Sequence, residues 1–337
     1  MELIDGVEGE MQKVRAPRRG ARGQQGVKPS FLFVGTGRAG SNWVFEVLRE
    51  HPEVVMPRNK GTFFFNRNFD RGVDWYESFF RYGQVGQVGG EVCEDYLCDV
   101  DAMERIFEYR RDMRLICCFR NPYERALSHW RFFGRNGLAE STLIEQGRRR
   151  PDLYYLGYYA TQLRALWGRF SKEHVLVYLY EDLVSDPEKI VSSIYKFIAV
   201  DQRFLPRSTK ILVNAGAEPR VKLVARMVHE LHMRSWGESR FISNLTGSVK
   251  RVQPLRGVVK ALLYKRPVKS AGWRDSLAIF PSDILARYEQ EILELEDLLG
   301  RDLSHWHAPR ACVQAARLDS GAACGQEVKG TGNTPAF

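Results

Sequence analysis

The chain has 337 residues, 44% of them hydrophobic and 27% charged, and its 50 Lys and Arg outnumber 41 Asp and Glu for a formal net charge of +9. No apolar run reaches the roughly 18 residues of a membrane span, and acidic residues stand where a secretory signal would have its apolar stretch. These features exclude a chain built of membrane spans. They predict a cytoplasmic protein whose six cysteines are free thiols without the spacing of a metal site.

Both ends of the chain lack apolar periodicity. Residues 1–28 are rich in Gly, Gln, Arg and acidic residues, and residues 308–337 are rich in Ala, Gly and small polar residues. Such compositions bury too little apolar surface to fold. We therefore predict two disordered tails and one large domain over residues 29–307, because a single α/β unit can have this length.

The first predicted element is a buried strand at residues 31–34. It breaks at a glycine-rich loop, residues 35–40, and a helical pattern of apolar residues follows from Ser41. A helix that starts directly after such a loop points its free backbone N–H groups at an anion. Arg38 lies in this loop, where its charge would add to the same site.

Further strands and helices alternate along the chain. Short apolar runs predict strands at 53–56, 88–92, 114–119 and 174–179, and helical patterns lie at 101–110, 122–133, 157–170 and 187–198. This alternation is typical of an α/β fold with three αβα layers and a central parallel sheet, in which the phosphate-binding loop follows the first strand. The carboxyl ends of the strands would then meet at one edge, where a nucleotide binds.

A second charged turn follows the predicted strand at 114–119. Arg120 ends the strand, and Asn121, Pro122 and Glu124 supply an N-cap, a first-turn proline and a capping-box acid for the next helix. Ser128 lies two turns into that helix. Arg120 before the helix and Ser128 within it therefore present a guanidinium and a hydroxyl at the same edge of the sheet.

The last third of the chain has two features. Residues 203–274 contain sixteen Lys and Arg against three Glu and no Asp, a charge that would attract an anionic donor. The aromatic residues there are not interleaved as stacking platforms, so nucleic acid is the weaker interpretation of this charge.

Apolar residues at helical spacing over 284–299, with Gly300 after them, predict a structural helix with a glycine C-cap.

The two loop motifs resemble those of a known family. Arg38-Ala39-Gly40-Ser41-Asn42 is similar to the first signature of sulfotransferases that use 3'-phosphoadenosine 5'-phosphosulfate (PAPS), and Arg120, Pro122, Arg125 and Ser128 are similar to the second. Landmarks in the same order extend the resemblance over residues 29–307. The likeness is greatest to the bacterial and heparan-sulfate-type branch.

The resemblance implies a site for each phosphate of the donor. The 5'-phosphosulfate would contact the loop residues Gly37, Arg38, Ala39, Gly40, Ser41, Asn42 and Trp43, without a metal ion. Arg120 and Ser128 would hold the 3'-phosphate. Residues 214–220 resemble the family's loop over that phosphate, which brings Arg220 into the same site. The implied partners are PAPS, its product 3'-phosphoadenosine 5'-phosphate (PAP) and a small-molecule or carbohydrate acceptor.

The base that takes the acceptor's proton does not transfer by resemblance. Relatives often carry a Glu where this chain has Gly61, and a Lys where it has Val92. Because carboxylates that follow the third strand lie at the same edge, we predict Glu94 as the base, with Lys60 as an electrophilic helper and Arg38 as an electrostatic clamp. The alternatives for the base are Asp95 and His129.

Three other functions fit parts of the sequence. Gly35, Gly37 and Gly40 also spell the G-x-G-x-x-G of dinucleotide-binding oxidoreductases, but the acid expected about 20 residues later is absent. A nucleotide kinase needs a Lys where this chain has Ser41. A catalytically weak relative that only binds PAPS or PAP remains open, since the nucleotide motifs alone do not distinguish it from an enzyme.

Overall fold

The structure is a computed structural model that describes residues 26–135, 142–210, 218–219, 264–265, 272–309 and Cys312. The predicted N-terminal tail lies almost entirely outside these residues, and so do most of the C-terminal tail and of the basic segment. Arg220 also lies outside the described residues.

Five parallel strands form the central sheet, in the spatial order β2-β3-β1-β4-β5. They are β1 (Pro29–Gly35), β2 (Val54–Val55), β3 (Val88–Val92), β4 (Arg114–Phe119) and β5 (Val175–Leu179). Each lies within two residues of the strand predicted from the sequence. The prediction of a parallel sheet is confirmed, and β2 is shorter than expected. A separate antiparallel pair joins β6 (Glu218–Pro219) and β7 (Tyr264–Lys265).

Helices cover both faces of this sheet. They are α1 (Ser41–Glu50), α2 (Phe64–Arg67), α3 (Val73–Glu77), α4 (Val100–Tyr109), α5 (Pro122–Arg135), α6 (Leu143–Arg149), α7 (Asp152–Tyr155), α8 (Tyr159–Trp167), α9 (Tyr180–Ser185), α10 (Pro187–Ile198) and α11 (Ser282–Leu299). Short 3-10 helices lie at Phe69–Arg71, Ser78–Phe80, Lys172–His174, Arg207–Lys210, Arg274–Ile279 and Ser304–Trp306. No helix in the described part of the chain is long and apolar enough to cross a membrane.

The strands are apolar on both faces because each face packs against helices. In β1, Leu32 and Val34 belong to one core and Phe31 and Phe33 to the other, and all four are fully buried. Successive side chains of a strand point to opposite faces, so one run of apolar residues supplies both cores. This arrangement confirms the predicted three-layer αβα fold.

Polar caps set the starts of the helices around the sheet. The Asp99 side chain accepts a hydrogen bond from the Ala102 N–H at the start of α4, and the Asp186 side chain accepts one from the Lys189 N–H at the start of α10. Gly300 ends α11 in the left-handed conformation, as the sequence predicts. These caps fix where each helix meets the sheet edge.

The last 3-10 helix fastens the C-terminal part of the domain to the sheet edge. Trp306 is 1% exposed, and its indole N–H donates to Glu181 Oε1 at 2.8 Å. Its carbonyl accepts a hydrogen bond from Asn121 Nδ2 at 3.2 Å, directly beside the turn that contains Arg120. Trp306 therefore supports the turn at the end of β4 through its backbone carbonyl, and its side chain fastens the last 3-10 helix to α9.

Replacing Trp306 by Ala should lower the free energy of unfolding by about 3–5 kcal/mol, because it leaves a large cavity and removes the indole donor. Chemical denaturation measures the change. Leu293→Ala is the control, since Leu293 lies exposed on α11, and its effect should stay within about 0.5 kcal/mol. Equal effects of the two substitutions would contradict the supporting role of Trp306.

Candidate active site

The loop after β1 presents the start of α1 at the carboxyl edge of the sheet. Gly40 precedes α1 with φ of +87°, and no side chain caps the helix there. The first-turn N–H groups of a helix have no partner within the helix, and they carry its positive dipole end. The backbone from Gly40 to Asn42 therefore has the arrangement that binds an anion.

Arg38 adds a cation to this loop in an unusual conformation. Its φ is +75°, a left-handed value that costs a non-glycine residue free energy. The Arg38 guanidinium lies over the Phe132 ring, 4.7 Å from the ring centroid. Contact with an aromatic face holds the guanidinium beside the loop. Such strain at a charged residue is typical of functional loops.

Lys60 joins this loop to the end of β3. Its ammonium donates to Ser41 Oγ at 2.9 Å and to Glu94 Oε1 at 2.6 Å. The side chains of Lys60 and Glu94 are 21% and 22% exposed. The structure thus brings together three residues that the sequence predicted for the site from three separate segments of the chain.

Glu94 is ionised in this setting. Burial by itself would raise the pKa of its carboxyl, but the charge and hydrogen bond of Lys60 outweigh burial and the net pKa is lowered. The other carboxyl oxygen, Oε2, is buried and has no hydrogen-bond partner among the described residues. Glu94 is therefore an ionised carboxylate with one oxygen that accepts no hydrogen bond from the described residues.

Asp95 differs from its neighbour. Burial, followed by the Glu94 charge, raises the pKa of the Asp95 carboxyl. The Arg67 guanidinium forms an ion pair with it. Adjacent carboxyl groups with pKa values moved in opposite directions can act as separate acid and base. In this pair Glu94 holds the lower pKa and contacts Lys60.

Gly61 and Val92 occupy the two positions at which the family resemblance leads us to expect charged side chains, and neither residue carries a charge. Gly61 has φ of +74°, and a Cβ there would lie 3.1 Å from the Phe63 ring. Val92 is fully buried in the sheet core. Glu91 is also buried, and it accepts hydrogen bonds from the Thr62 N–H and the Tyr96 hydroxyl. Glu91 therefore supports the loop that contains Lys60. The first carboxylate after β3 that lines the cleft is Glu94.

Arg120 reaches the first loop from the end of β4. Its guanidinium donates to Glu124 Oε2 at 2.9 and 3.1 Å and to the Arg38 carbonyl at 3.4 Å. It lies over the Tyr180 ring, 4.6 Å from the centroid. Sequence reasoning did not relate Tyr180 to Arg120, because no local pattern connects the two residues. Ser128 lies further along α5 and is partly exposed.

His129 does not suit the role of base that the sequence left open to it. Burial, together with the charges of Arg125, Arg38 and Arg150, lowers the pKa of His129 to about 2. A group with so low a pKa is a very weak base at neutral pH. His129 therefore stays one of the predicted candidates, and burial followed by the three arginine charges weighs against it.

A cleft of about 980 Å³ opens beside these groups. Arg38 and Glu94 line it, as do Arg67, Asp95 and Phe132. A cavity of this volume is in the range of small-molecule and cofactor sites. The cleft therefore offers space for a small molecule beside Glu94.

The part of the chain that carries all five strands of the central sheet is similar to known proteins. The model of the sulfotransferase domain family matches residues 28–213. Heparan sulfate glucosamine 3-O-sulfotransferase 6 of Mus musculus and of Homo sapiens are each 30% identical over 197 residues, which are 54% of this chain and 57% of the relative. The chain thus spans 57% of the length of these two relatives.

A solved structure shares the fold. The crystal structure of a sulfotransferase from Alicyclobacillus acidocaldarius aligns with a TM-score of 0.58 and 20% sequence identity, over 83% of this chain and 99% of that one. At this level of identity the likeness concerns the arrangement of strands and helices. The central sheet and its flanking helices are therefore those of a known structural type.

The low pKa of His129 makes stability depend on pH. The unfolded state takes up a proton near pH ~6.5 and the folded state does not, so the free energy of unfolding falls as the pH drops below that value. In His129→Asn this contribution is lost, and the decline should be shallower by up to about 1.4 kcal/mol per pH unit. Urea unfolding of both proteins at pH 7.5 and 5.5 measures it. Identical pH dependence would contradict a neutral His129 in the folded protein.

Proposed function

The chain belongs to the sulfotransferase domain family, and on this premise we propose that it transfers a sulfuryl group from PAPS to a hydroxyl or an amine. The observation that carries the proposal is the Lys60 ammonium, which lies 2.9 Å from Ser41 in the anion-binding loop and 2.6 Å from Glu94. One cation thereby joins a donor site to a carboxylate that can take the acceptor's proton. Sulfuryl transfer to a hydroxyl needs a bound donor and a group that takes the hydroxyl proton.

The charges at the sheet edge fit a donor with several anionic groups. Arg38, Lys60 and Arg120 approach the start of α1, and the helix N-terminus adds its own positive end. The first-turn N–H groups of α1, with Arg38 and Lys60, would bind the 5'-phosphosulfate. Arg120 would hold the 3'-phosphate through a charge-assisted fork.

The proposed reaction follows from these positions. The acceptor's lone pair attacks sulfur, the bond between sulfur and the 5'-phosphate oxygen breaks, and the electron pair leaves with PAP. By analogy with phosphoryl transfer, much of the developing charge collects on the leaving phosphate, which the loop and its cations stabilise. The acceptor's proton passes to Glu94, which is ionised at neutral pH.

Arg120→Ala should weaken PAP binding by about 1.5–3 kcal/mol, the range for hydrogen bonds to charged groups. Adenosine 5'-phosphate, which lacks the 3'-phosphate, should bind the variant and the original protein equally. Calorimetric titration with both ligands measures the difference. Arg203→Ala removes the same charge at a 90% exposed side chain and serves as the control. Equal losses for both ligands would place Arg120 away from the 3'-phosphate.

Glu94→Gln should reduce turnover by about 10²- to 10⁴-fold while PAP affinity is retained, because Gln cannot take the acceptor's proton. Transfer of label from [³⁵S]PAPS to an acceptor measures turnover. Asp95→Asn is the matched control at the adjacent carboxyl, and we expect it to retain most activity.

Unchanged turnover in Glu94→Gln would remove this carboxylate from the reaction. An original protein that binds PAP but transfers no label to any tested hydroxyl or amine would favour the other candidate function, a PAP-binding relative without catalysis. The specific observation behind that candidate is the absence of a side chain at Gly61, where relatives often carry a Glu.

A further inference from the structure

A second, smaller cavity lies against the cleft. Its volume is about 200 Å³, and Cys98, Val100 and Tyr155 line both cavities. The remaining wall includes the apolar side chains of Leu97, Met103 and Leu166. The two cavities therefore share a wall, and the smaller one is mainly apolar.

The shared wall continues directly from the proposed base. Glu94, Asp95, Cys98 and Val100 line the cleft along one stretch of chain, and this stretch then forms one side of the apolar cavity. A molecule that reacts at Glu94 and extends along this stretch would reach the apolar cavity. The geometry thus connects the reacting position with an apolar compartment.

The shared wall also exposes large apolar side chains. Val100 is 66% exposed and Tyr155 is 40% exposed, although both lie where the two cavities meet. Covering apolar surface that faces water is favourable in proportion to the area covered. Apolar residues grouped at the rim of a cavity are typical of a binding surface. A ligand with an apolar part would bury both side chains.

The charges on the cleft wall determine which charge the polar group of such a ligand can carry. Five carboxyl groups line the cleft, against three arginines; the carboxyl groups are those of Glu94, Asp95, Asp99, Asp101 and Asp152. Arg67 and Arg150 already form ion pairs with Asp95 and Asp152. The described wall therefore repels an additional anion and accepts a neutral or cationic group.

We propose that the acceptor is amphipathic, with an uncharged or cationic head that carries the reacting hydroxyl or amine, and an apolar tail that occupies the smaller cavity. This inference rests on the proposed function, because the reacting position is defined by Glu94. It identifies the acceptor as a molecule with an alkyl or aryl tail rather than a polyanionic chain.

Matched glucosides test the tail. Octyl β-D-glucoside and methyl β-D-glucoside have the same neutral head, and each is titrated into the full chain with and without saturating PAP, below the micelle concentration of the octyl compound. Because every buried methylene contributes favourably, we expect the octyl glucoside to bind at least about tenfold more tightly. Octyl β-D-glucuronide, with the same tail and an anionic head, should bind more weakly than octyl β-D-glucoside.

A cavity-filling variant locates the binding. Ala165 lies exposed on α8 at the wall of the smaller cavity, so Ala165→Trp fills the cavity without displacing core residues. We expect the octyl glucoside to lose most of its advantage over the methyl glucoside in this variant. Leu293→Trp, an exposed position on α11 outside both cavities, is the control and should retain the full preference.

Equal affinity for the two neutral glucosides, or an undiminished octyl preference in Ala165→Trp, would overturn the inference. A stronger affinity for the glucuronide would also overturn the assignment of the head. Failure of the original protein to bind PAP is a different result. It would overturn the proposed function, and the octyl preference measured without PAP would still report on the cavity.

Discussion

The double contact of the Lys60 ammonium is the interaction on which the site depends. It binds Ser41 at the start of α1 and Glu94 after β3, and Lys60 itself lies in the segment that leaves β2. Because β2, β3 and β1 are neighbours in a parallel sheet, their carboxyl ends lie together. Strand order therefore brings the three segments to one edge of the sheet, and side-chain packing there sets the hydrogen bonds among Lys60, Ser41 and Glu94.

Positive and negative charges are separated across this site. The positive end of α1, Arg38 and Arg120 attract negative charge at the loop after β1, while the carboxyl groups of Glu94 and Asp95 follow β3 and line the cleft together with Arg38. Lys60 lies between the two sides and lowers the pKa of Glu94. The proposed anionic donor would therefore meet positive charge at the loop, and the proposed acceptor would meet the carboxyl groups after β3.

The sequence predicted the sheet because its signals are local: apolar runs, glycine-rich turns and capped helices recur in order. It also predicted that Lys60, Ser41 and Glu94 belong to the site. It could not predict that one ammonium contacts the other two, since that depends on packing between distant segments. The short helices between residues 64 and 80 have no helical periodicity of their own. The low pKa of His129 comes first from burial and then from three arginines, of which Arg38 and Arg150 are distant in sequence.

A crystal structure of the protein with PAP bound tests the central claim most directly. We predict the 5'-phosphate within hydrogen-bond distance of the first-turn N–H groups of α1 and of Lys60, and the 3'-phosphate beside Arg120. In that complex Glu94 should face the leaving phosphate across the cleft. A nucleotide bound elsewhere, or bound at this edge in the reverse orientation, would contradict the account.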